Sequence, residues 1–308
     1  MSIIFGPIHS RRFGKTLGVD LSPREKQCNY DCLYCELEGK KAQDSMLEVL
    51  SVNEILAAIA QSLKKYPNIQ SLSITANGEP TLYPYLYELM LRLEDIKGQA
   101  KTLLLTNGSL LWRSEVSKAA LLFDKVKFSL DAITQKVFQK IDRPTKTIDL
   151  EKILQGICQF SMDFRGELYA EILFVKNVND SVEEAKKMAK FLAFLPLKRL
   201  DIGTIDRPPA YAVKPLGQEE LEELAKIFYA YGIPFSLATR QNHTKDDIKN
   251  LLLDKEEILK TLALRPMSVE DVQSLWADST KDLLRDLMEE KKVKRVLLNG
   301  VEFYDLDS

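Results

Sequence analysis

Three of the chain's four cysteines stand within eight residues, Cys28-Asn-Tyr-Asp-Cys32-Leu-Tyr-Cys35. A disulfide uses two cysteines, and a structural zinc site takes four ligands. Three thiolates in one loop can each bind one iron of a cubane 4Fe–4S cluster. The fourth iron then keeps an open position, as a catalytic metal site must. A zinc ion completed by Cys158 or His9 is the competing chemistry. Cys158 itself, in the apolar run GICQF, reads as a packed core thiol.

Other polar signals recur at intervals. Asn77-Gly78-Glu79-Pro80 is a turn, and Asn107-Gly108 follows an apolar run. Ser129 and Asp131 alternate and so share one strand face, although Asp131 also suits a cap for the next helix. Glu171 lies inside a later apolar run, where a lysine partner would account for it equally well. Arg11 and Arg12, near His9 and Lys15, could grip a phosphate or carboxylate, or pair with surface acids. Arg207, before two prolines, could point at substrate or stabilise its own turn. Lys176 to Asp180 is polar in the same ambiguous way.

The elements that must position these groups alternate. Apolar strands are expected at 17–22, 71–75, 102–106, 125–131, 168–175, 199–205 and, shorter, 233–238. Between them run helices from the capping box Ser51-Val-Asn-Glu54 to about 65, from 84 to 97, over 114–122, in segments to 163, from the cap at Ser181, and over 217–231. Six such β/α units imply a parallel sheet covered by helices, as a partial barrel or a doubly wound sheet. In both, function collects at the C-terminal ends of the strands. The cysteine loop and the turns at 77, 107 and 129–131 all fall on that rim.

The remainder, 244–308, changes character. KEEILKTLAL is amphipathic, Ser268 and Ser279 resemble helix caps, and VKRVLL-Asn-Gly-VEFYDL reads as a hairpin on a two-residue turn. Three helices and a hairpin make a winged-helix-like pattern. The expected organisation is a partial (β/α)6 TIM barrel with an N-terminal arm over 1–240 and a small winged-helix-like domain over 244–308.

Composition sets limits. The 308 residues are 45% hydrophobic and 29% charged with a formal net charge of −2, as in an ordinary globular protein with no overall attraction to nucleic acid or anionic lipid. No apolar run approaches the roughly 20 residues of a membrane span, and no signal peptide is expected. Few cysteines, mostly clustered, suit a reducing cytoplasm and a metal site. The segment 244–308 carries 11 Lys/Arg against 15 Asp/Glu, a net of −4 that argues against DNA binding by its helices, despite Lys291, Lys292, Lys294 and Arg295.

Cys28-x-x-x-Cys32-x-x-Cys35, with Tyr34 before the last cysteine, resembles the signature of the radical S-adenosylmethionine (SAM) superfamily. Asn77-Gly78-Glu79-Pro80 resembles that family's Gly-Gly-Glu-Pro turn, with Asn in place of the first Gly. The resemblance implies a partial TIM barrel over about 15–240, an oxygen-sensitive 4Fe–4S cluster on Cys28, Cys32 and Cys35, and SAM as second cofactor. It implies reductive cleavage of SAM to a 5′-deoxyadenosyl radical that takes hydrogen from a substrate which the sequence does not identify, RNA and peptide being the candidates. An electron donor such as flavodoxin or ferredoxin would be needed. Tyr34 would pack near the adenine, and Gly78, Glu79 and Pro80 would line the methionyl end. Asn107, Ser129, Asp131 and Glu171 would serve the carboxylate or ribose. The Ser-Arg-Arg arm and Arg-Pro-Pro loop are similar to a branch loosely related to wyosine-type tRNA-modifying iron–sulfur oxidoreductases. Those enzymes carry further upstream cysteines that this sequence lacks, which argues against wyosine formation. From a different class, an iron–sulfur regulator that senses redox state and binds DNA through the winged helix is the alternative.

Overall fold

The computed structural model describes residues 2–10, 13–237, 252–264, 266–298 and 300–307. The chain opens with two antiparallel strands, β1 (Ile4–Ser10) and β2 (Gly14–Asp20). Then follow α1 (Val52–Lys65), β3 (Ser71–Thr75), α2 (Leu86–Leu93), β4 (Lys101–Thr106), α3 (Ser114–Ala120) and β5 (Lys125–Ser129). Next come α4 (Gln135–Ile141), α5 (Leu150–Asp163), β6 (Glu167–Phe174), α6 (Val182–Leu192), β7 (Arg199–Thr204), α7 (Gln218–Ala230) and β8 (Phe235–Leu237). The last part holds α8 (Lys255–Leu264), β9 (Met267–Ser268), α9 (Val269–Leu275), α10 (Asp278–Glu289), β10 (Val293–Leu298) and β11 (Val301–Leu306).

The first eight strands form one sheet in sequential order, with β2 to β8 all parallel. An order without reversal carries every crossover the same way around, which is an opened barrel and excludes the doubly wound alternative. α1 shows how local sequence makes the covering layer. Ser51 and Glu54 complete a capping box, and Val52, Ile55 and Ile59 recur on one face and are buried. Burying each such side chain contributes about 1.5–3 kcal/mol.

Several expectations are corrected. The N-terminal arm is strand β1, and the first parallel strand starts at Gly14 rather than Leu17. The helix expected over 84–97 is the shorter α2, Leu86–Leu93, and a single 3-10 turn, Pro80–Leu82, precedes it. Pro84 keeps Tyr83 extended, with ψ 116°, so the helix cannot begin earlier. β5 stops at Ser129, because the Leu173 amide donates to the Asp131 carboxylate at 2.7 Å instead of continuing the ladder. Asp131 does not cap α4, whose N-cap position is Thr134. Ser268 caps α9, but Ser279 lies inside α10, whose start is set by tertiary contact. Thr280 there is fully buried and accepts the Leu253 amide at 3.0 Å.

In the last part, β10, β11 and β9 form a three-stranded antiparallel sheet. Leu253, Ile258, Leu262, Val272, Trp276 and Leu287 pack beneath it in an apolar cluster separate from the barrel core. Asn299, in the expected hairpin turn, lies outside the described residues. No helix among the described residues is long and apolar enough to cross a membrane.

Candidate metal and cofactor centre

The cysteine loop is nailed down at its start. Asp20, at the end of β2, accepts the amides of Ser22 (2.9 Å) and Asn77 (2.7 Å). Gln27 then pairs with the turn after β3: its amide donates to Asn77 O at 2.8 Å, and Glu79 N donates to its carbonyl at 2.9 Å. Gly78 is required there, for at φ +135° an added Cβ would stand 1.9 Å from Gln27 O. The Cys28 carbonyl accepts the Gln43 amide at 2.8 Å, which folds the loop back. Leu33 N donates to Ile141 O at 2.9 Å, and Ala210 N donates to Cys35 O at 2.8 Å, so α4 and the loop after β7 hold the other end.

All three thiols are free and partly exposed. Cys28 Sγ accepts from Tyr30 N at 3.4 Å, Cys35 Sγ accepts from Lys26 Nζ at 3.3 Å, and Cys32 Sγ donates to Asp142 Oδ1 at 3.3 Å. Burial and then the Glu79 charge push the Cys28 thiol up to about 12. Burial and Asp142 hold the Cys32 thiol well above its usual range. Burial pulls the Lys26 ammonium down, yet Cys35 and the other two sulfurs leave it above its ordinary value. The Cys28 and Cys32 thiols therefore ionise only against added positive charge, which a metal centre supplies. Among the described residues no three His, Cys, Asp or Glu side chains are spaced around a single ion. Three separate sulfurs in one loop are instead the donor set for a polynuclear centre that takes one thiolate per iron. The residues present fit a cluster.

Beside them opens a small pocket lined by Tyr34, Asn107, Ser129, Asp131, Phe138 and Asp142 among others. Four expected cofactor contacts thus meet on one wall. Tyr34 hydroxyl donates to Asp131 Oδ2. Asn107, just past β4, donates its side-chain amide to Asn29 Oδ1 at 2.8 Å and lies 3.9 Å from Cys28 Sγ. Burial raises Asp131 to about 7 despite the Leu173 and Tyr34 hydrogen bonds, with the Glu171 charge adding to the rise. Burial and then Asp131 hold Asp142 well above the carboxylate range. Two carboxyls that are costly to ionise alone suit a cationic ligand.

Other expected residues lie differently. Glu79 is buried and its carboxylate is spent inside the protein, accepting from Thr81 N (3.0 Å), Thr81 Oγ1 (2.6 Å), Thr106 Oγ1 (2.6 Å) and Asn107 N (2.7 Å). It locks the turn to the end of β4. Pro80 begins the 3-10 turn and is buried. Glu171 pairs with Lys127 at 2.5 Å, beside Asp201, in the manner of the lysine-partner account. Arg207 does not reach the pocket lining: both Glu36 oxygens accept from its Nη1 at 2.9 Å, tying the loop after β7 to the residue following Cys35. Arg11 and Arg12 lie outside the described residues. Their described neighbours Ser10 and Gly14 pair at the start of β2, at the end of the sheet away from the cysteines.

Sequence reading missed Asn29, Asp142, Arg143 and Tyr211. Asn29 sits inside the cysteine motif and donates to Ser109 Oγ at 2.7 Å, a buried polar group that the motif's spacing conceals. Arg143, at φ 43°, donates to Asp31 O at 2.6 Å and lies 3.9 Å from the Tyr211 ring centre. Tyr211 in turn donates to the Asp31 carboxylate at 2.8 Å. Only the Asp-Arg-Pro run at 142–144 hinted at this clamp.

A family description, "Radical SAM superfamily", matches residues 26–192. A protein of Helicobacter pylori named UPF0026 protein is 41% identical over 303 residues, covering 98% of this chain and 97% of that one. A radical SAM methyltransferase from Sphaerobacter thermophilus superposes with a TM-score of 0.54 at 18% identity, over 72% of this chain and 66% of that one. Streptococcus suis SuiB bound to S-adenosylmethionine gives 0.55 at 16%, over 76% of this chain and 55% of that one. At those identities the structural likeness is one of fold.

Proposed function

Since this chain belongs to the radical SAM superfamily and, with its Helicobacter pylori relative, to the UPF0026 proteins, we propose that it is a radical SAM enzyme working at the rim just described. Its cofactors are a 4Fe–4S cluster and S-adenosylmethionine. When bound and reduced, they supply one-electron cleavage of SAM to a 5′-deoxyadenosyl radical able to take hydrogen from a substrate. Cys28, Cys32 and Cys35 hold the cluster. Tyr34 lies by the adenine, while Asn107, Ser129 and Asp131 receive SAM's polar groups. Gly78 and Pro80 present backbone to its methionyl end, and Glu79 serves by fixing that turn. The Arg143–Asp31–Tyr211 clamp and the Ala210–Cys35 bond fasten the cysteine loop to the end of α4 and to the loop after β7.

The observation that carries this reading is the meeting of three free thiols and a pocket of polar candidates on one rim, with Asn107 touching both. The mixed charges of Lys127, Glu171 and Asp201 in the barrel, and a net charge of −2, favour a peptide substrate over RNA. Wyosine-type tRNA modification gains no support from that balance. Residues 244–308 are read as a winged-helix-like domain that docks or delivers substrate, the barrel domain being 1–240. Flavodoxin or ferredoxin is the electron donor proposed, and the cytoplasm the compartment. The DNA-binding regulator draws support from no residue of the site.

The test is anaerobic. Reconstituted protein with SAM and dithionite should yield 5′-deoxyadenosine, and Cys32→Ala should yield none. A protein that binds zinc and takes up no iron would sink the reading.

A further inference from the structure

Helix α8 carries a buried cation from the C-terminal cluster into the barrel. Ile258 and Leu262 of this helix lie in the C-terminal apolar core. Lys260, between them, is 9% exposed, and its Nζ meets Asp20 Oδ2 at 2.5 Å across 240 residues of chain. Asp20 is fully buried. Its other oxygen, Oδ1, is the acceptor for Ser22 N and Asn77 N. One carboxylate thus joins α8, the start of the cysteine loop and the Asn77-Gly78-Glu79-Pro80 turn.

We infer that Lys260 is a positioning residue for the SAM site: through Asp20 it holds the backbone of the Asn77–Glu79 turn in place from the C-terminal part of the chain. The inference rests on the proposed function for its ligand. A buried carboxylate stripped of its cation is strongly disfavoured and turns toward water. Asp20 turning away would release the Ser22 and Asn77 amides together. Gly78 is set against Gln27 with no room for a side chain, so movement of the turn passes to the residue before Cys28. Coupling of this kind is reciprocal. Whatever shifts α8 changes SAM affinity, and SAM binding tightens the seat of α8.

A simple tether for the C-terminal part would look different, and the molecule offers the control. Glu257, also on α8, holds Lys65 (2.7 Å) and Tyr66 (3.2 Å) of the α1 end, away from Asp20. Full-length reconstituted wild type, Lys260→Met, Glu257→Gln and the double variant Asp20→Asn/Lys260→Met would be compared. SAM dissociation constants come from anaerobic equilibrium dialysis, and amide hydrogen exchange across residues 76–81 is read without SAM. Lys260→Met should weaken SAM binding about 10–100-fold, the usual loss when the partner orienting a ligand group is removed. It should also speed exchange at 76–81. The double variant keeps an acceptor oxygen for both amides and removes the stranded charge, so it should recover most of both losses. Glu257→Gln should leave SAM affinity at the wild-type value. Unchanged affinity and exchange in Lys260→Met, or equal losses in Glu257→Gln, would overturn the inference. Should Lys260→Met fail to fold, a folded double variant with fast exchange at 76–81 would overturn it, and wild-type exchange there would uphold it. Wild-type protein that takes up a cluster yet binds no SAM would fault the functional reading, while the exchange results still judge the link.

Discussion

At the scale of single residues, Asp131 decides the electrostatics of the pocket. Its carboxyl stands at about 7 because burial outweighs the two hydrogen bonds it accepts. An unfolded aspartate ionises near 3.9. Between those values the native state holds the extra proton. The stability linked to Asp131 is therefore fully present below about 4 and is lost as pH rises through 7. At about 1.4 kcal/mol per pH unit, the loss amounts to roughly 2–4 kcal/mol. Asp142 acts in the same sense. Cluster-free Asp131→Asn should therefore show a flatter decline of urea stability between pH 4.5 and 7.5 than wild type. An identical slope in the two proteins would mean that Asp131 ionises as an ordinary surface carboxylate.

At the scale of elements, the wall bearing Asp131 is held by the connection from β6 to α6. Ser181 caps α6 by accepting Glu184 N at 3.2 Å, but Glu184 does not complete a capping box. Its buried carboxylate reaches the loop after β5, accepting from Ile133 N (2.6 Å), Thr134 N (2.8 Å) and Thr134 Oγ1 (2.8 Å). Asn179 adds a donor to Asp131 O at 2.8 Å. Glu184→Ala leaves three donors without this acceptor and should cost roughly 2–4 kcal/mol in urea denaturation. Iron content should stay at the wild-type level while SAM binds about tenfold more weakly. The exposed neighbour Glu183→Ala should change neither.

At the scale of the whole molecule, charge argues against duplex binding by the last part of the chain. Asp278, Asp282 and Asp286 of α10 present carboxylates to solvent. The basic run at the start of the hairpin is matched by acids, with Lys292 on Glu290 (2.7 Å), Lys294 on Asp307 (3.4 Å) and Arg295 on Glu302 (3.6 Å). Little is left over to displace counterions from a duplex. Filter binding in about 0.15 M salt should retain no duplex DNA. Strong, salt-sensitive retention would restore the regulator reading.

Local sequence determined the thiol loop, the rim on which it lies and nearly every helix and strand, because cysteine spacing, capping residues and apolar periodicity act over a few residues. Gly78 was legible as part of a turn, and Ser51 as a cap. What only the tertiary structure decided is where long-range polar partners fall. Glu79 turns inward to β4, Arg207 reaches back 171 residues to Glu36, Cys32 finds Asp142 110 residues on, and Lys260 finds Asp20 across 240. An isolated charge in a sequence has many possible partners. Strand register and helix packing bring one of them within hydrogen-bond reach, and burial then makes that pairing obligatory.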